Sequence, residues 1–222
     1  MEDGRLKKGR ITATLSTFVH QLNNILMGIE GNTSLLLLDK DAGDPDYDKL
    51  REIDELVKRG VALASNLPGI EAIHIPSAED EGPVEPGPVT EGKRPEFMSS
   101  GSETILIADD EDMILKVCAK MLGALGYHVL SASSGKQAVE IFNDKAASID
   151  LVMLDIVMPD MGGGEAYYRI KEIKPDIRVL LLSKYDIGGK AADLVNQSSD
   201  SFLQKPFNIE ELSMKVRETL DH

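Results

Sequence analysis

Apolar residues recur at spacings of four and three in the first part of the chain, at Ile11, Leu15, Phe18, Leu22, Ile25 and Ile29. That is the stripe of a helix buried against other helices. "DKDAGDPDYD" breaks it with Gly, Pro and several Asp, which marks a connection. A second stripe follows at Leu50, Ile53, Val57, Gly60, Ala64 and Leu67. After a short leader (1–8), residues 9–67 are expected to form a helical hairpin. Val19, Leu26, Leu56 and Leu63 widen its apolar face, so one hairpin alone exposes too much of it. Pairing two hairpins into a four-helix bundle covers that face and predicts a homodimer. Packing on the chain's own second domain is the alternative.

The pattern then stops. Six of the ten prolines fall between Pro68 and Pro95, in an acidic, Gly-rich stretch, so residues 68–102 read as a linker. From residue 103 to 222 short aliphatic runs alternate with amphipathic helical patterns. "TILIAD", "YHVLSAS", "IDLVMLD", "IRVLLLS" and "SFLQK" read as strands. "EDMILKVCAKMLGALG", "GKQAVEIFNDKA", "GGEAYYRIKEI", "GGKAADLVNQ" and "NIEELSMKVRETL" read as helices, the last opened by an Asn208/Glu211 capping box. Five strands alternating with five helices predict an α/β domain: a doubly wound, five-stranded parallel sheet with its site at the strand C-termini.

Composition narrows the function. A formal charge of −14 over 222 residues argues against a nucleic-acid partner, which requires clustered Lys and Arg. No apolar run approaches the ~20 residues that span a bilayer, and no secretory signal opens the chain. The single cysteine, Cys118, cannot form an intrachain disulfide. A cytoplasmic protein without membrane insertion is expected.

The predicted strand ends carry the chemistry. The first ends in Asp109 and Asp110, the third in Asp155, the fourth in Ser183 and the fifth in Lys205. Three converging carboxylates repel one another, and a hard divalent cation with oxygen ligands, Mg²⁺, would relieve that. Lys205 and Ser183 are suited to hold phosphoryl oxygens. Asp155, at the centre, is placed as a nucleophile for phosphoryl transfer.

"ILIADDED", "LVMLDIVMPDMGGGE", "VLLLSKYD" and "FLQKPF" resemble, in order and spacing, the receiver domain of two-component response regulators. The resemblance implies a flavodoxin-like fold and phosphoryl acceptance on Asp155. It implies that Asp110, Asp155 and the backbone carbonyl of Val157 ligate Mg²⁺, with Asp109 holding a metal-bound water. It makes Ser183 the switch hydroxyl and Phe202 the switch aromatic, and Lys205–Pro206 a cis peptide. Phosphorylation would draw Ser183 toward the phosphoryl group, let Phe202 turn inward and shift the surface around the fourth strand and helix. The implied partner is a cognate histidine kinase or phosphotransfer protein. Lys184 departs from the family, which usually has a small residue there; it is expected to slow partner access to the pocket.

"FVHQLNNILMGIEGNTSLL" and "RGVALASNL" are similar to the dimerisation and phosphoacceptor hairpin of histidine kinases, where H-[DE]-x-x-N marks the phosphoacceptor. Spacing alone leaves His20 a plain surface histidine on the face opposite the stripe, held on a helix yet open to solvent. The resemblance makes it a phosphoacceptor by descent. Gln21 departs from the pattern, because an amide cannot take the imidazole proton. The family's ATP-binding lobe has no room between hairpin and second domain; "EAIHIPSAE" resembles only its last strand and tail. "SSGKQ" is no phosphate loop, since Leu130 stands where the first glycine belongs. Autonomous ATP-dependent kinase activity is therefore not expected.

These features predict a phosphorelay protein in which Asp155 takes phosphate and exchanges it with His20 of a dimeric hairpin. In the alternative, the hairpin only dimerises or docks, and a separate histidine kinase phosphorylates the second domain. A Mg²⁺-dependent aspartyl phosphatase is more remote, because such enzymes place an acid two residues after the nucleophile and here that residue is Val157. A DNA-binding output is not expected, the chain ending directly after the last predicted helix.

Overall fold

The computed structural model describes residues 2–41, 43–65, 100–183 and 201–221. Two helices come first, α1 (Glu2–Leu38) and α2 (Tyr47–Ser65). There follow β1 (Thr104–Ala108), α3 (Asp112–Ala124), β2 (His128–Ala132), α4 (Gly135–Lys145) and β3 (Leu151–Asp155). α5 (Gly163–Ile173), β4 (Arg178–Ser183), β5 (Ser201–Gln204) and α6 (Ile209–Asp221) complete the chain. The helix expected over 188–197, Lys184, "EAIHIPSAE" and nearly all of the linker lie outside the described residues. No helix among the described residues is long and apolar enough to cross a membrane.

The five strands form one parallel sheet in the order β2-β1-β3-β4-β5. Period-two alternation divides their side chains between two cores. Ile105, Ile107, Met153, Leu180 and Leu182 pack with α3 and α6, whereas Leu106, Ala108, Val152, Leu154, Val179 and Leu181 pack with α4 and α5. β3 is buried along its whole length, as the central strand of a doubly wound sheet must be. The capping box at α6 is reciprocal: Asn208 Oδ1 accepts the Glu211 N–H at 2.9 Å and Glu211 Oε2 accepts the Asn208 N–H at 3.0 Å. α4 opens on Ser134, whose hydroxyl accepts the Gln137 N–H at 3.2 Å.

The hairpin differs from expectation in three respects. α1 begins at Glu2, so the expected leader is helical; its Glu, Arg and Lys are good helix formers that carry no apolar stripe. Within a single chain the expected stripe is not the buried face: Phe18 is 57% exposed, and Ile25 and Ile29 are exposed too. Instead Val19, Asn24, Met27 and Glu30 are buried, because α1 turns this side toward α3. Met27 is wholly enclosed in the core that α3 and α6 share. Gly28 and Gly31 make the approach close. A Cβ on Gly31 would stand 2.3 Å from Val117 Cγ1 and 2.4 Å from Met121 Cε. Third, His20 lies on this docked side, half-buried rather than open to solvent.

Docking buries an acid. Glu30 is 5% exposed, near Asp54 and Lys58 of α2 and Glu211 of α6. Burial, then Glu211 and Asp54, push its pKa from 4.5 up to about 7, with Lys58 opposing. The native state thus holds an extra proton between those values, and stability falls as pH rises through that window. Above pH 7 the ionised carboxylate costs about 2 to 3 kcal/mol, the lower figure allowing for screening by solvent. Glu30→Gln is expected to raise the unfolding free energy at pH 8 by that amount and to change it much less at pH 5. Equal gains at both pH values in denaturant titrations would refute the assignment.

Candidate functional site

Strand register brings the predicted residues to one end of the sheet. Asp155 closes β3 opposite Leu182 of β4, and Ser183 pairs with Gln204 of β5, one residue before Lys205. Asp109 and Asp110 follow β1 directly, and the Asp109 N–H reaches Ala132 O of β2 at 3.1 Å. The Lys205 N–H donates to Ser183 O at 2.8 Å. Lys205–Pro206 is cis, as the resemblance implies. Gly163 opens α5 so close behind Asp155 that a Cβ there would meet Asp155 O at 2.0 Å. Only glycine fits that approach without moving the Asp155 backbone.

Asp109, Asp155, Ser183 and Lys205 are buried, Asp109 and Asp155 to 0% and 1% exposure, while Asp110 sits at the exposed rim. Carboxylate oxygens of Asp109, Asp110 and Asp155 all lie within 4.8 Å of one another. Lys205 Nζ bonds Asp155 Oδ2 at 2.6 Å and also Asp109 Oδ2. The free faces of these carboxylates take backbone donors. Asp155 Oδ1 accepts the Val157 N–H and Asp109 Oδ1 accepts the Glu111 N–H, each at 2.9 Å. Phe202 is half-buried on β5, against the core on the α4 and α5 side.

Burial raises the Asp109 pKa, and the neighbouring Asp155 charge adds to this against the opposing Lys205. Burial alone would lower the Lys205 pKa, but the Asp155 and Asp109 carboxylates outweigh it and hold the ammonium above the ordinary lysine value. The site therefore sets one ammonium against three clustered carboxylates, a negative excess that a further cation would relieve. Cys118 is fully buried and burial pushes its thiol up to about 12, so it stays a neutral packing residue.

His20 is outside this carboxylate–lysine cluster and meets the receiver at Glu111, the residue after Asp110. Its Nε2 lies 3.0 Å from Glu111 Oε1, and Asn24 Nδ2 is 3.1 Å from its Nδ1. Asn24 Nδ2 also bonds both Glu111 carboxylate oxygens. Glu111 is the residue that sequence reasoning misses. Directly after Asp110 it reads as the start of a helix, and nothing local signals that a distant histidine meets it.

Residues 105–217 match the family of response regulator receiver domains. The chain belongs to that family. It contains a receiver domain of two-component phosphorelay signalling, in which an aspartate is the phosphoacceptor. Among curated relatives, the chain is 34% identical over 122 residues to the sensor kinase CckA of Brucella abortus, covering 55% of this chain and 13% of that protein. It is 36% identical over 115 residues to the autoinducer 1 sensor kinase/phosphatase LuxN of Vibrio harveyi, covering 52% and 13%. The chain thus spans only a small part of either kinase. Among solved structures, a response regulator receiver domain protein from Clostridium thermocellum superposes with TM-score 0.51 and 30% identity, covering 54% of this chain and 94% of that one. The receiver match leaves α1 and α2 outside it.

Proposed function

We propose that Asp155 is the phosphoacceptor of this receiver and that it exchanges the phosphoryl group with His20 of the hairpin. One observation carries the reading: Asp155 is buried at the centre of the strand ends, 2.6 Å from Lys205 and within the Asp109–Asp110 cluster, while the hairpin docks with His20 3.0 Å from Glu111, the residue whose backbone N–H bonds Asp109. The donor set fits Mg²⁺, being all oxygen and including an exposed carboxylate at the rim. Asp110, Asp155 and the Val157 carbonyl would hold the ion, with Asp109 acting through water. When bound it would supply charge neutralisation for an incoming phosphoryl group. Asp155 is the nucleophile, Lys205 holds a phosphoryl oxygen, and Ser183 bonds another and with Phe202 reports the change to the surface beyond β4 and β5.

The exposed faces support a homodimer. Phe18, Ile25, Ile29 and Leu36 on α1 join Ile53, Leu56 and Leu63 on α2, and Leu63 is 72% exposed. A second copy covers this surface as a four-helix bundle and leaves each receiver docked on the opposite side. Gln21 favours a second reading, in which the hairpin serves only to dimerise and dock while a separate histidine kinase phosphorylates Asp155.

The two are separated by incubating the chain with Mg²⁺ and acetyl phosphate. An acyl phosphate on Asp155 is acid-stable and alkali-labile, whereas phosphohistidine shows the opposite stability. Wild type is expected to carry both labels, and His20→Ala only the acid-stable one. Acid-stable label alone in wild type would leave the docking-only reading, and no label at all would sink both.

A further inference from the structure

Glu111 stands at the N-cap position of α3, yet its side chain makes no capping hydrogen bond there. The carboxylate turns to the hairpin instead. It lies 3.0 Å from His20 Nε2 and bonds the Asn24 amide, which is itself 5% exposed. Gln21, the neighbour from which family resemblance expects an acid, is exposed and offers only an amide. The group missing from the hairpin is therefore present on the receiver.

We propose that Glu111 is the positioning residue for His20, acting from the receiver across the interface. This rests on the exchange between His20 and Asp155 proposed above. A carboxylate accepts an N–H, so Glu111 at 3.0 Å assigns the neutral ring's proton to Nε2 and leaves the lone pair on Nδ1, the nitrogen that the Asn24 amide approaches more closely, at 3.1 Å against 3.4 Å for Nε2. They also fix the ring's rotation. In the exchange the P–O bond to Asp155 breaks, a P–N bond to the unprotonated ring nitrogen forms, and Asp155 is left as a carboxylate. The Nε2 proton stays on the ring, where Glu111 balances the positive charge that develops. The Asn24 amide gives way to the phosphoryl group at Nδ1.

The consequence is conditional competence. His20 is oriented only while the hairpin is docked, because half of its holder belongs to the other domain. Docking itself does not depend on Glu111: Met27 fills the receiver core, and Gly28 and Gly31 admit Met113, Val117 and Met121 further along α1. Orientation and docking can therefore be separated by experiment.

The test compares wild type with Glu111→Ala, Glu111→Gln and Glu111→Asp in the full chain. After Mg²⁺ and acetyl phosphate, the ratio of alkali-stable to acid-stable label is expected to fall about tenfold or more in the Ala and Gln variants and to recover largely in the Asp variant. In NMR spectra the His20 ring N–H, shielded from exchange by its carboxylate, is expected in wild type and lost in Glu111→Ala. The Met27 methyl resonance is expected at its buried position in both. An unchanged label ratio together with a persisting ring N–H in Glu111→Ala would overturn the proposal. A Met27 methyl that moves to an exposed position would overturn it too, since Glu111 would then be holding the docked state. If wild type itself carries no alkali-stable label, the exchange reading has failed, and the ring N–H alone decides whether Glu111 holds the imidazole.

Discussion

Asp155→Asn is expected to abolish the acid-stable phosphoryl label, to at least a hundredfold below wild type, while leaving the receiver folded. The amide is nearly isosteric and its oxygen still accepts the Val157 N–H that Asp155 Oδ1 accepts at 2.9 Å. It is not a nucleophile, because its nitrogen lone pair is delocalised and its oxygen carries no charge. Nor does the change strand a charge: Lys205 keeps Asp109, and one source of repulsion leaves a cluster whose carboxylates stand within 4.8 Å. The measurement is the phosphoryl mass increment in intact-protein spectra after Mg²⁺ and acetyl phosphate, beside a thermal melt. A label of wild-type size in the variant would move the phosphoacceptor to Asp109 or Asp110 and refute the assignment. If the alkali-stable label reaches His20 only by way of Asp155, that label disappears as well.

The receiver could be read from the sequence because each of its signals is local. A strand buried on both faces is a short aliphatic run, so β3 and β4 stand out as "LVMLD" and "VLLLS". Parallel alternation with helices then sends every strand end to one edge, and Asp109, Asp155, Ser183 and Lys205 assemble without any contact having to be guessed. The hairpin was half-legible. Its heptad stripe marks a sticky face, but α1 has two faces to satisfy. The one that meets the receiver is signalled by Gly28 and Gly31, residues that read as weak points in a helix rather than as room for Val117 and Met121. Glu30 sits on the same docked side, and a lone acid there looks solvated until α6 is packed beside it. His20 and Glu111 meet only through the docking of two elements distant in sequence, a juxtaposition no period or spacing encodes.

Lys205→Met should destabilise the receiver by about 3 to 5 kcal/mol, the cost of removing one partner from a buried ion cluster. Lys205 is 4% exposed and bonded to both Asp155 and Asp109, which are themselves out of solvent. Methionine fills the stem's volume, so little of the loss comes from packing; it comes from two buried carboxylates left facing each other. The pH dependence identifies the cause. Burial already raises the Asp109 pKa and Lys205 is the main influence lowering it, so the variant's carboxyl titrates higher still. A native pKa above the unfolded value makes the penalty full at neutral pH and shrinks it as pH falls through the native pKa toward 3.8. Melts of Lys205→Met are therefore expected to approach wild type at acidic pH, whereas lost hydrophobic packing would give a deficit that does not change with pH. Added Mg²⁺ is expected to raise the variant's melting temperature more than wild type's, because a cation held by the same carboxylates replaces the missing charge. Phosphoryl acceptance is expected to fall even with Mg²⁺ present, since the ion cannot also supply the ammonium that meets a second phosphoryl oxygen from β5. A pH-independent loss of stability would mean that Lys205 contributes through packing, and that the carboxylates at these strand ends are relieved in some other way.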